Sequence, residues 1–207
     1  MKHEWKIQER SVYLAKAQPE IIVVPAYNFF SLAGAGNPND SFFGKCIEVL
    51  YALSYAVKMS PKSGLAPSGY FDYTVYPLEG VWDLNEAAKK SYTGKINKND
   101  LVFNLMIRQP DFVNTGYALE ILDRVKKKKP NELLEKVVFE PLEEGKCIQM
   151  LHTGSYDDEP ASFTHMEEFC RNKNLTRTDK QHREIYISDA RKVSPDKLKT
   201  ILRFRVL

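Results

Sequence analysis

Within the stretch HREIYISD, His182 to Asp189, a two-residue strand period places Glu184, Tyr186 and Ser188 on one face and Ile185 and Ile187 on the other. The isoleucine face is expected to meet helices. A carboxylate set among rings in a partly dry cavity holds its proton more tightly than in water unless a hydrogen bond or a cation favours the charged form. Such a group is suited to act as a general base near neutral pH. The residues alone leave a plainer alternative open, in which Glu184 is an exposed strand residue paired with Arg183, Arg203 or Arg205. Glu79, in PLEGVW, is a second candidate acid. It follows a predicted strand and precedes a glycine, so it reads either as a turn carboxylate or as part of a cleft wall.

Five rings, Tyr70, Tyr73, Trp82, Phe112 and Tyr117, fall near predicted strand ends or just after Pro110, where they are placed to close over a planar ligand. Ring stacking and cation–π contacts contribute on the order of 0.5 to 2 kcal/mol each. Tyr186 joins them through the strand face of Glu184, and Met106 is an adaptable lining side chain. Core packing is the competing reading for each, because FDYTVY offers aromatics to both faces. Other chemistries fall away. Gly34 and Gly36 lack the third glycine and the βαβ setting of a phosphate-binding turn. His3, His152, His165 and His182 with Cys46, Cys147 and Cys170 show no metal-ligand spacing, and no paired cysteines accompany His182 and Glu184. Neither a metal nor another cofactor is expected. Cys147 and His152 fall on opposite strand faces, which leaves a Cys/His nucleophile little support and buried thiols as the reading.

The elements that must position these groups can be read from periodicity and breakers. NFFSLAGAG from Asn28 reads as a strand, NPND as turn and cap, and Phe43, Ile47, Leu50, Leu53 and Val57 as the stripe of a helix from about Asn39 to Lys58. FDYTVYPLEG from Phe71 and LVFNLMIR from Leu101 read as strands, with a turn or short helix over Asn85 to Lys90 between them. DFVNTGYALEILDRVKKKK suits an amphipathic helix closed by Pro130, whose basic end, Lys126 to Lys129, complements the helix dipole. The order then starts again: KCIQMLHTG as strand, DDEP as helix start, Phe163, Met166, Phe169 and Cys170 as stripe, then HREIYISD and ILRFRVL as strands. The predicted architecture is α+β. Two strand-helix-strand-strand units form a curved antiparallel sheet with helices on one face and a cleft between the halves. The boundaries are a lead-in over 1–25, a first repeat over about 26–110, a connecting helix over about 111–130 and a second repeat over about 137–207, all within one domain spanning 1–207.

The 207 residues, 43% hydrophobic and 28% charged, suffice for a core without metal or disulfide. Mean hydropathy is −0.42, and no apolar run approaches the roughly 18 to 20 residues of a bilayer-crossing helix. Thirty basic against twenty-seven acidic residues leave +3, too little and too evenly spread for a nucleic-acid footprint. Three widely spaced cysteines and the absence of a secretion signal in MKHEWKIQERS predict a reducing, cytoplasmic setting. A small-molecule partner is expected, with neither nucleic acid nor membrane.

GAGNPN at Gly34 to Asn39, FDYTVYPLEGVW at Phe71 to Trp82, MIRQPDFV at Met106 to Val113, GSYDDEPASF at Gly154 to Phe163 and HREIYISD together resemble the GyrI-like small-molecule-binding family, in the right order over nearly the whole chain. The resemblance is to the stand-alone branch that includes hydrolases of cyclopropane-bearing, DNA-alkylating natural products. A more distant similarity is to the effector-binding domains of multidrug-responsive regulators. It implies a duplicated half-barrel with Glu184 at the cleft floor, a flat or amphipathic ligand, and hydrolysis of cyclopropanoid genotoxins with Glu184 as general base. The alternative it implies is a non-catalytic binder that senses or sequesters multiple drugs, with Glu184 as counter-charge. A gyrase-binding role comes only from the family's namesake. Two departures stand out. The N-terminus has neither the length nor the charge of a helix-turn-helix domain, so DNA reading is not expected. The resemblance implies a paired histidine before the strand carboxylate, whereas this chain has His182 and Arg183, a change expected to alter the charge beside the cleft.

Overall fold

A computed structural model describes residues 2–207. In chain order the elements are helices α1 (Trp5–Gln8) and α2 (Arg10–Tyr13), strands β1 (Glu20–Val24) and β2 (Tyr27–Ala35), helix α3 (Ser41–Met59), strand β3 (Leu78–Leu84), helix α4 (Glu86–Lys90), strand β4 (Leu101–Arg108) and helix α5 (Thr115–Lys128). Strands β5 (Val138–Leu142) and β6 (Gly145–Thr153), helix α6 (Glu159–Asn172), and strands β7 (His182–Tyr186) and β8 (Lys199–Arg205) complete the chain. Short 3-10 turns link several of them. The chain divides into two compact units, one of Tyr27–Leu142 with the residues up to His3, the other of Glu4–Ala26 with Glu143–Leu207. Among the described residues no helix is long and apolar enough to cross a membrane.

In the first unit β2, α3, β3 and β4 follow one another, with β4 antiparallel to both β2 and β3 and β5 added on the far side of β2. The register puts Phe30, Leu32 and Gly34 of β2 on one face with Ile107, Leu105 and Phe103 of β4 and with Leu78, Gly80 and Trp82 of β3. That face receives α3, whose Phe43 packs on Trp82 and Phe103 at centroid distances of 5.6 and 5.2 Å. Gly34 is glycine because a Cβ there would stand 2.4 Å from the Phe103 ring. Helix α3 buries Cys46, Val49, Leu50, Leu53, Ser54 and Val57; of the expected stripe Leu50, Leu53 and Val57 are buried, whereas Phe43 and Ile47 are only half-buried and Cys46 and Val49 complete the face. Asn114 caps α5 by accepting from the Tyr117 amide at 2.9 Å.

The second unit repeats the order as β6, α6, β7 and β8, with β8 antiparallel to β6 and β7, and with β1 added on the far side of β6. The added strands are exchanged. β1 precedes β2 in the chain but pairs with β6, and β5 precedes β6 but pairs with β2. Ile148, Met150, Leu202 and Phe204 meet Met166 and Cys170 of α6 in one buried cluster, which fixes that face as the helix-covered one. The opposite face carries a buried charge network. Glu144 sits between Arg183 at 2.9 Å and Arg203 at 2.7 Å. Arg203 also donates to Gln149 Oε1 and to the Val12 carbonyl, which ties α2 to the sheet. Burial works against ionisation of Glu144, but the two guanidiniums outweigh it and hold the carboxyl below its usual range.

The duplicated order, the extents of β4 and α3, and the α+β class agree with the sequence reading. The strand expected from Phe71 does not begin there. Of FDYTVY only Tyr73 forms an isolated bridge, to His3, and β3 starts at Leu78 after Pro77. The aromatic string is held instead by ring packing and by Lys58, which bonds the Tyr73 carbonyl and pairs with Asp72 at 2.8 Å. Ile187, just past β7, and Ile201, the partner of Ile185, line a pocket with Lys6 of α1 and Tyr13 of α2, so the isoleucine face meets the lead-in helices.

Candidate functional site

The site begins with the alternation of β7. In register, Glu184 lies opposite Leu202, and Leu202 packs against α6, so the Glu184 side chain belongs to the helix-covered face with His182 and Tyr186. Arg183 lies opposite Arg203 and turns to Glu144 on the reverse face. The expectation that Arg183 alters the charge beside the carboxylate is therefore overturned by the strand period itself. Neither Arg203 nor Arg205 partners Glu184 either. Arg203 is committed to Glu144, Gln149 and Val12, and Arg205 donates to the Glu144 carbonyl at 3.1 Å.

What faces Glu184 comes from the turn between β6 and α6. Gly154, at φ +139, ends β6 in a conformation that L side chains rarely adopt. His152 then braces the turn, with Nδ1 2.9 Å from Ser162 Oγ and Nε2 3.0 Å from the Ser155 carbonyl. Ser155 caps the following 3-10 turn by accepting from the Asp157 amide. This places Glu159 in the first turn of α6, where the helix dipole favours an acid. Yet Glu159 is only 6% exposed and Glu184 only 8%. Two buried carboxyls in contact cannot both be charged cheaply. Burial first, then the charge of Glu184 and the hydrogen bond to it, with a smaller contribution from Asp157, raise the Glu159 pKa far above the usual carboxylate range. Glu159 thus keeps its proton and donates it to Glu184.

His182 Nε2 lies 3.2 Å from Glu184 Oε1, and the Phe163 ring meets the imidazole edge-on at 4.7 Å. Tyr156 and Tyr186 form an edge-to-face pair at 6.1 Å beside the acids. Burial, reinforced by the charges of Glu184, Glu159 and Asp189, pushes the Tyr156 hydroxyl up to about 12. The arrangement offers an acceptor carboxylate, a retained acidic proton, an imidazole and two phenols in one corner. The donor atoms of Glu159, His182 and Glu184 all lie within 4.8 Å of one another.

The other sequence candidates lie in the first unit and form separate groups. Tyr70, Tyr73 and Phe112 make one ring cluster, with Phe112 at 5.1 Å from Tyr70 and 5.9 Å from Tyr73. Tyr117 reaches its margin and bonds the Leu65 carbonyl at 3.3 Å. Burial raises the Tyr73 hydroxyl. Trp82 belongs instead to the α3-covered core with Phe43 and Phe103. Glu79 and Met106 are cross-strand neighbours on the face away from α3, and Glu79 is 2% exposed within β3, so the turn-carboxylate reading does not hold. Glu159, Tyr156 and Phe163 escaped the sequence reading as site residues. The signal for Glu159 was present in DDEP, but that string reads equally well as helix-start chemistry.

The family model described as a GyrI-like small molecule binding domain matches residues 17–207. Two solved structures of Listeria innocua proteins described as hydrolases are similar over all of both chains, one at 33% identity and TM-score 0.89, the other at 34% and 0.90. The EcmrR C-terminal domain is similar at 13% identity and TM-score 0.53, covering 92% of this chain and 97% of its own, a likeness of fold alone. No curated protein matches the chain.

Proposed function

The chain belongs to the GyrI-like small-molecule-binding family, and from that premise we propose that it binds flat or amphipathic organic molecules beside Glu184 and hydrolyses electrophilic cyclopropane-bearing ones. The observation that carries this reading is Glu184 itself, a buried strand carboxylate with an acid and an imidazole on either side. In the proposed reaction Glu184 takes a proton from water as the water oxygen bonds to a cyclopropane carbon. The ring C–C bond breaks and its electron pair moves into the conjugated carbonyl, which takes up a proton in turn. Glu159, which retains a proton beside the base, and Tyr156 are the donors positioned for that last transfer. Positioned general-base catalysis typically supplies ~10² to 10⁴-fold. Similarity to the two Listeria innocua proteins described as hydrolases supports the reaction class.

The same buried acid supports a second reading, a binder for cationic amphiphiles in which no bond breaks, because a buried cation needs a counter-charge. One experiment separates them. The protein is incubated with a cyclopropane-bearing alkylator, and mass spectrometry follows the appearance of a product heavier by one water. Wild type is expected to form it and Glu184→Gln to form it at least ~10²-fold more slowly while still binding the compound. Recovery of unmodified compound from a tight wild-type complex would establish the binder.

A further inference from the structure

We propose that Glu159, His182 and Glu184 form a binding site for a divalent transition-metal ion of the zinc(II) class. Metal–ligand bonds of about 2.0 to 2.2 Å in a tetrahedral shell impose donor–donor edges of roughly 3.3 to 3.6 Å. The His182 Nε2 to Glu184 Oε1 separation of 3.2 Å lies just under such an edge. The third donor is within reach, since all three ligand atoms lie within 4.8 Å, and a side-chain rotation of Glu159 closes the set. A second observation points the same way. Glu159 is more than nine-tenths buried, and its Oε1 has no hydrogen-bond partner among the described residues, an oxygen lone pair stored at the site without a donor to satisfy it.

The chemistry of the donors sets the ion. One imidazole and two carboxylates suit zinc, cobalt or nickel, whereas magnesium and calcium prefer all-oxygen shells. Three protein donors leave positions for water or a ligand oxygen, the pattern of open rather than structural sites. The thiols offer no alternative, since Cys46, Cys147 and Cys170 are all buried and free. A metal in this corner takes the place of the proton that Glu159 now shares with Glu184, so it competes with the general-base role. Its binding nevertheless requires no turnover, and the two readings can fail separately.

The test is titration of the full-length protein with CoCl₂, followed by the visible absorption of protein-bound cobalt, and with ZnCl₂ by calorimetry. Wild type is expected to bind one equivalent of each. His182→Ala, which alters a partly exposed ring, and Glu159→Gln, which keeps side-chain shape, are each expected to weaken binding by at least tenfold with their far-UV circular dichroism unchanged. His165→Ala, at an exposed position on α6, is expected to bind as wild type does. Absence of saturable binding in wild type overturns the proposal. So does full-strength binding in either His182→Ala or Glu159→Gln, because the site requires both donors.

Discussion

Replacing Glu159 by Gln tests the electrostatics of the corner without any ligand. Glu159 is 6% exposed and retains its proton in the folded protein, against a pKa near 4.3 in the unfolded chain. Between those two values the native state binds one more proton than the unfolded state. Folding stability therefore falls as pH rises, by up to about 1.4 kcal/mol per pH unit. Carried from pH 4.3 to pH 7, the loss reaches a ceiling of about 4 kcal/mol. Glutamine keeps the shape and an N–H donor toward Glu184 but has no ionisation to suppress. Glu159→Gln is thus expected to match wild type near pH 4 and to exceed it by about 1 to 3 kcal/mol at pH 7, within that ceiling. Urea unfolding at a series of pH values reads this directly, provided the slope of the transition is unchanged between the two proteins. A stability difference that is flat across pH 4 to 7, or one that turns against the variant as pH rises, would refute the shared-proton account.

Other perturbations test the scaffold that holds the corner. Glu144→Gln strips the counter-charge from two buried guanidiniums and is expected to cost about 3 to 5 kcal/mol, read as a lowered Tm at pH 7. Because the Glu144 pKa is depressed, its contribution is present above about pH 4.3 and is lost as pH falls through the folded value, the opposite sign to Glu159. Gly34→Ala drives a Cβ to 2.4 Å from a Phe103 ring already wedged against Phe43 and Trp82, and is expected to cost about 1 to 3 kcal/mol. An unchanged midpoint in denaturant would show that the ring yields freely.

Local pattern was enough for the elements whose partners and periodicity lie within a few residues. LVFNLMIR alternates cleanly and is β4 from Leu101 to Arg108, and Leu50, Leu53 and Val57 of the predicted stripe lie on the buried face of α3. The duplicated order followed from such segments. The two added strands were not legible, because each is defined by a distant partner: Glu20 pairs with Gln149, and Tyr27 with Leu142. In β5 Pro141 further disguises the strand, tolerated because β5 is an edge strand with β2 on one side. The stretch from Phe71 misled for the converse reason. Its residue types favour strands, but ring contacts and Lys58 hold it irregular up to Pro77. At the candidate site, strand alternation set Glu184 on one face with Tyr186 but left it open as an exposed, paired acid, and it was the family resemblance that singled it out. Glu159 was not legible, since its meaning depends on a turn braced by His152 that no spacing rule describes.

The duplication makes the distribution of chemistry itself an argument. In each unit the corner where the helix starts over the third element is the same piece of scaffold. In the first unit that corner is filled by Phe43 from α3, Trp82 from β3 and Phe103 from β4, three rings within 5.2 to 5.6 Å of one another. In the second it holds Glu159 and Phe163 from α6 and His182 and Glu184 from β7, with Leu202 of β8 beneath. Counted from the matching bonds of Gly36 N–H to the Leu101 carbonyl and of Gly154 N–H to the Leu198 carbonyl, Tyr186 stands where Trp82 does, Glu184 where Gly80 does and His182 where Leu78 does, so an acid and an imidazole take the place of apolar positions. The aromatic corner contributes burial and rigidity, worth roughly 0.5 to 1.5 kcal/mol per ring pair beyond the area covered. The acidic corner gives up that packing and confines two like groups at low solvent access, a cost no core would retain for stability alone. One copy of the unit therefore serves as the packed reference for the other, and the departure from it supports the proposal that Glu159, His182 and Glu184 form the site.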